Sequence, residues 1–152
     1  MRKSIKKLLL IIMISFCLVG CGIGNDAYQV NETAKVLSED IKMTILGSED
    51  VMVSDATFDS QNGEYTKVKI KVENIGTKEY IWSVIKLKLG DKSASLYSGP
   101  DSLEERIPAG ESRTGYVYFD KTDATVLQYR PLKIDTERKG NSLLEVYKFK
   151  IK

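Results

Sequence analysis

Cys21 is the residue whose setting points to the most definite chemistry. It stands directly after Gly20, at the end of a twelve-residue apolar stretch. The chain has one other cysteine, Cys17, which lies inside that stretch. There is no histidine, which removes Ser-His-Asp and Cys-His catalysis and the commonest metal ligand. With a single cysteine outside the apolar stretch, a thiolate zinc site is also excluded.

The residues before Cys21 explain its position. Met1 to Lys7 carries Arg2, Lys3, Lys6 and Lys7 and no acid, and Leu8 to Val19 reads LLLIIMISFCLV. A basic start followed by a short apolar run is the pattern of a secretory signal peptide. The run is too short to span a bilayer as a mature helix, which takes about 20 apolar residues. Leu18, Val19 and Gly20 before Cys21 resemble the lipobox of bacterial lipoproteins. In that motif an aliphatic residue fills an apolar subsite, and a small residue gives the signal peptidase access to the bond before the cysteine. The resemblance implies removal of residues 1–20, diacylglycerol on the Cys21 sulfur, an N-acyl chain on its amine, and no other cofactor. Residues 21–33 then read as a flexible tether and 34–152 as the folded domain. Removing residues 1–20 takes four of the 23 basic residues and none of the 21 acidic ones, so the mature chain is 19 basic against 21 acidic. That balance argues against nucleic acid as a partner.

Other candidate chemistry is weaker. Ser83 and Lys86 have Ser-x-x-Lys spacing, but the sequence around them reads as a strand, where i and i+3 face opposite ways. Glu49, Asp50, Asp55 and Asp59 form one acidic group, and Asp101, Glu104 and Glu105 another. Neither has calcium-loop spacing, and solvated loop acids account for both. Lys67, Lys69 and Lys71 form a ladder. It reads as a solvated strand face, as an edge guarded against aggregation, or as a contact for anionic polymer or headgroups. Tyr80, Trp82 and Tyr97 are candidate surface contacts for carbohydrate or peptide, although a lone Trp in a sandwich strand more often fills the core.

The elements that must position these residues are strands. Val68, Ile70 and Val72 alternate with the lysines, as in a half-buried antiparallel strand. A second strand spans Tyr80 to Leu89, with a parity switch at Val84-Ile85 that suggests a bulge. Further candidates are Ile41–Leu46, Val51–Phe58, Ala94–Tyr97, Arg113–Phe119, Thr125–Tyr129 and Leu143–Ile151, with a helical turn possible in Ala34–Ile41. Turn signals fall at Asn74–Thr77, Gly90–Lys92, Ile107–Glu111 and Lys139–Asn141. Short strands with frequent turns and no long amphipathic helix predict an all-β, immunoglobulin-like antiparallel β-sandwich of about 7–9 strands.

The runs VKIKVENIGTKEY (Val68 to Tyr80), Leu87 to Lys92 and IPAGESRTGYVYFD (Ile107 to Asp120) resemble the immunoglobulin-like domain of Gram-positive lipoproteins. That domain has no assigned function and is similar in fold to a secreted mycobacterial immunoprotective antigen. The resemblance covers about Ile41 to Pro131 and supplies no catalytic residues. It implies a non-enzymatic lipoprotein on the extracytoplasmic face of the cell membrane, offering a sandwich to an envelope protein, polymer or small ligand. The alternatives are an accessory subunit of a transport or secretion complex and an envelope-metabolism enzyme using paired carboxylates.

Overall fold

A computed structural model describes residues 26–53, 63–95, 99–131 and 145–152. Two antiparallel sheets pack face to face. The first has the order β1-β2-β3-β8, with β1 at Thr33–Val36, β2 at Ile41–Met52, β3 at Glu64–Asn74 and β8 at Ser112–Asp120. The second has the order β10-β9-β5-β6, with β5 at Leu87–Leu89, β6 at Lys92–Ser93, β9 at Val126–Tyr129 and β10 at Tyr147–Lys150. A small ribbon of β4, Tyr80–Ile81, and β7, Arg106–Ile107, lies apart from both. The fold is the immunoglobulin-like β-sandwich expected from the sequence.

Period-two burial builds the core. Val68, Ile70 and Val72 of β3 face inward with Met43 and Ile45 of β2 and Val117 and Phe119 of β8. Leu87, Leu89, Leu127, Tyr129 and Phe149 come from the second sheet to meet them. Removing such side chains from water is the main favourable term in folding.

Several elements differ from the sequence reading. β2 is one strand of 12 residues that runs past Leu46 to take in Val51 and Met52, and most of the Val51–Phe58 candidate lies outside the described residues. β2 carries a bulge, because its register moves from Ile45↔Ile70 to Gly47↔Lys69 and leaves Leu46 unpaired. The Tyr80–Leu89 strand is broken. A 3-10 turn at Val84–Lys86 separates β4 from β5, and this turn, not a bulge, produces the parity switch. Ser83 therefore precedes a tight turn and Lys86 ends it, rather than both lying in a strand. The helical turn in Ala34–Ile41 shrinks to a 3-10 turn at Leu37–Glu39, because β1 takes the residues before it. The domain also begins before residue 34. Tyr28 stacks on Phe149 with ring centroids 5.3 Å apart.

One edge of each sheet is covered. Ser95 N–H donates to Tyr118 O and Leu103 N–H to Tyr116 O, so Ser95 and Leu103 each pair with the outer side of β8. Tyr28 covers β10, with its N–H on Lys148 O at 2.8 Å and its carbonyl accepting from Lys150 N–H at 2.7 Å. The tail thus adds an edge strand, and the chain entering the domain covers it.

Candidate functional site

The most concentrated polar chemistry lies between the sheets. Glu39 reaches inward from the β1–β2 turn, Tyr80 from β4, Lys86 from the 3-10 turn and Tyr129 from β9. Lys86 Nζ donates to Glu39 Oε1 at 2.6 Å and to the Tyr80 hydroxyl at 3.1 Å. Glu39 Oε2 accepts from the Tyr80 hydroxyl at 2.6 Å and also from Tyr129. The side chains of Glu39 and Lys86 are each only 9% exposed. Trp82 packs flat on Tyr129, with centroids 5.6 Å and planes 8° apart, and closes the cluster from the core side.

This environment sets the charges. Burial pushes the Glu39 carboxyl up, but hydrogen bonds from Lys86, Tyr129 and Tyr80 and the Lys86 charge outweigh it and hold Glu39 below its ordinary value. Burial, with Glu39 alongside, pushes both phenols well above theirs, so they remain neutral donors. Both carboxylate oxygens are engaged, which leaves Glu39 poorly placed to take a proton from a substrate. A hollow of about 330 Å³ opens beside the cluster, lined by Glu39, Asp40, Asn74, Lys78, Glu79 and Tyr80, among others. Asn74 forms its inner wall. Its Nδ2 donates to Lys78 O and Ile107 O, and its Oδ1 accepts from Gly76 N–H. Gly76 is needed here for space rather than for a left-handed backbone. A Cβ on it would meet Asn74 Oδ1 and Asp40 Cβ, each at 3.2 Å.

The residues singled out from sequence are dispersed. Lys67, Lys69 and Lys71 share the outer face of the first sheet, but β3 is an interior strand, so they guard no edge. Lys67 is neutralised by Glu49 at 3.3 Å and Asp101 at 3.2 Å and lies over the Tyr116 ring at 4.0 Å. Lys71 pairs with Glu73 at 3.4 Å. Lys69 borders a hollow of about 250 Å³ formed at the β2 bulge, with Tyr116 beside it. Trp82 is not a surface contact. It is 1% exposed because the 3-10 turn after it directs its ring into the core. Tyr80 is half-buried, with its hydroxyl committed to the Glu39 cluster. Tyr97 and the Leu18–Cys21 motif lie outside the described residues, as do Asp55 and Asp59.

Three of the remaining acids have side-chain partners of their own. Asp50 accepts from the Thr66 hydroxyl, Asp101 from Tyr118 and Lys67, and Glu104 from Arg113. Among the described residues no group of three or more His, Cys, Asp or Glu could hold a metal ion. The Glu39–Lys86 pair escapes sequence reading because 47 positions separate the partners. The only local trace is an acid and a lysine, each beside a break in a strand pattern.

Fold and site together define an immunoglobulin-like β-sandwich domain stapled internally by a buried polar cluster. The chain belongs to the DUF4352 family, a domain of unknown function, which matches residues 28–137. The match reaches beyond the Ile41–Pro131 span of the motif resemblance at both ends and takes in Tyr28 and β1. Among solved structures, the chain is similar to MPT63, a secreted protein of Mycobacterium tuberculosis, with a TM-score of 0.57 and 14% identity over 84% of this chain and 99% of that one. It is similar to yjhA of Bacillus subtilis at TM-score 0.53 and 18% identity, covering 80% and 98% of the two chains. It is also similar to ycdA, a candidate lipoprotein of Bacillus subtilis, at TM-score 0.52 and 20% identity, covering 78% of this chain but only 38% of that one. At these identities the likeness is one of fold. A comparison with curated proteins finds no match.

Proposed function

We propose that this chain is the precursor of a lipoprotein, anchored through Cys21 to the extracytoplasmic face of the cell membrane, whose sandwich serves binding rather than catalysis. The observation that carries the reading is Leu18-Val19-Gly20-Cys21 at the end of a basic-then-apolar leader. The Cys21 thiol displaces the phosphate head group of a glycerophospholipid to take its diacylglyceryl group as a thioether. Hydrolysis of the Gly20–Cys21 peptide bond frees the Cys21 amine, and acyl transfer to that amine from a lipid ester, which leaves as the lyso-lipid, adds a further chain. Two or more chains anchor a protein stably. A secreted protein and a candidate lipoprotein among the structural relatives support an extracytoplasmic location. A binding role is supported by the commitment of the buried carboxylate: Glu39 is held by Lys86, Tyr80 and Tyr129 at once, which suits a staple better than a general base.

Fatty-acid labelling in a bacterial host, followed by mass spectrometry of the mature amino terminus, tests the anchor. The native chain is expected to start at Cys21 with thioether-linked lipid, and Cys21→Ala to lose both the label and the cleavage. A mature chain with a free Cys21 thiol, or label that survives Cys21→Ala, overturns the reading.

A further inference from the structure

The outer face of the second sheet differs from the lysine ladder of the first. Lys148, Gln128 and Lys88 stand in one cross-strand row on β10, β9 and β5. Their neighbours in sequence, Phe149, Leu127 and Leu89, are fully buried, so this row faces outward. Lys150 lies two positions along β10 on the same face, and Arg130 lies beyond Gln128, to whose side-chain oxygen it donates at 2.8 Å. Three of these four cations lie in the strands and Arg130 directly follows β9; the strands of this sheet carry no acidic residue, and Lys92 on β6 pairs opposite buried Leu89. On the first sheet Lys67 is paired with Glu49 and Asp101, and Lys71 with Glu73. None of the four cations of the second sheet makes an ion pair with a carboxylate among the described residues. Like charges gathered on one face repel, and an external anion relieves the cost.

The chain's own path says which anion. Tyr28 is hydrogen-bonded to β10 at Lys148 and Lys150, in the middle of this charged edge. Six residues separate Cys21 from Tyr28, a reach of about 25 Å at full extension. If Cys21 is anchored as proposed above, its lipid holds this edge close to the headgroups, where local concentration favours weak contacts. Anionic leaflets attract polybasic surfaces lying within a Debye length of them.

We propose that the outer face of the second sheet, through Lys88, Arg130, Lys148 and Lys150, docks on anionic phospholipid headgroups and sets how the domain lies on the membrane. The orientation argument rests on the Cys21 anchor, but the docking surface can be tested without it. The mature chain, residues 21–152, retains every described strand, and Cys21→Ser leaves it unacylated. Co-sedimentation with vesicles of phosphatidylglycerol in phosphatidylcholine is expected to exceed that with phosphatidylcholine alone and to fall with added salt.

Changing all four cations to Gln is expected to weaken binding about tenfold or more. The set Lys42→Gln, Lys69→Gln and Lys71→Gln on the first sheet is expected to leave it unchanged. Lys150→Glu, a single change at an exposed site, is expected to weaken binding without loss of the β circular dichroism signal. Equal binding to both vesicle types, or equal loss from the two sets, overturns the proposal. Release from vesicles by soluble polyphosphate at matched phosphate concentration also overturns it, in favour of a polymer partner. These outcomes are independent of fatty-acid labelling, so failure of the docking surface and failure of the anchor are distinguishable.

Discussion

Glu39 shows how a buried charge is retained. Taking a carboxylate and an ammonium out of water is costly, and the pair stabilises only if its remaining hydrogen-bonding capacity is met. Here the Tyr80 and Tyr129 hydroxyls meet it. Glu39 ionises below the ordinary value of 4.5 in the folded chain. Its contribution is therefore fully present above the unfolded value and is lost as pH falls through the folded one. The native domain should lose stability on acidification below about pH 4.5 partly through this residue. Glu39→Gln leaves Lys86 buried without its counter-charge and is expected to cost about 3 kcal/mol at neutral pH. The variant should also show a smaller further loss on acidification than the native chain. Urea unfolding midpoints at neutral and acid pH give both quantities. A variant whose acid profile parallels the native one would place the pH dependence elsewhere.

β8 shows how closely one element can be fitted to its neighbour. Gly115 lies opposite Ile70, and the chain at Ser102–Leu103 passes directly over it. A Cβ at Gly115 would lie 2.5 Å from Leu103 N and Cα and 2.8 Å from the Ser102 carbonyl carbon. These are backbone atoms, so no side-chain rotation relieves the overlap. Gly115→Ala is expected to cost about 2 kcal/mol, in the range of overpacked cores. Thr114→Ala, one position along and exposed, should stay within about 0.5 kcal/mol. Comparable losses in the two variants would contradict the close fit.

The same element separates what a sequence can and cannot convey. The alternation of Val68, Ile70 and Val72 with lysines reveals a strand because burial on one face imposes a period of two. The aromatic run of β8 reads as a strand for the same reason. That Ser95 and Leu103 pair with β8, that Trp82 turns inward, and that Glu39 meets Lys86 depend on approaches between distant segments, and local pattern carries no record of those. The lysine ladder is visible in sequence as charge. Its compensation by Glu49, Asp101 and Glu73 emerges only once the strands are in register.

For the molecule as a whole, the decisive join is where the chain enters and leaves the domain. Tyr28 pairs with β10, and Ser48 on β2 donates through its hydroxyl to Ile151 O at 2.9 Å, so the last strand ties the second sheet to the entering chain and to the first sheet. Phe149 and Ile151 are buried to within 1%. Deleting residues 145–152 removes both from the core, leaves β9 paired on one side only, with β5, and leaves Tyr28 without its stacking partner. Two large apolar side chains contribute about 5 kcal/mol together. That is comparable to the whole stability of many domains. The truncated chain is therefore expected to lose its cooperative urea transition or to aggregate through the exposed edge of β9. Circular dichroism through a urea titration, with sedimentation to detect association, measures the outcome. A truncated chain with a native midpoint and a monomeric profile would mean that β10 is an ornament on a sandwich already complete without it. A collapsed midpoint would mean that residues near both ends of the chain must meet before the core closes.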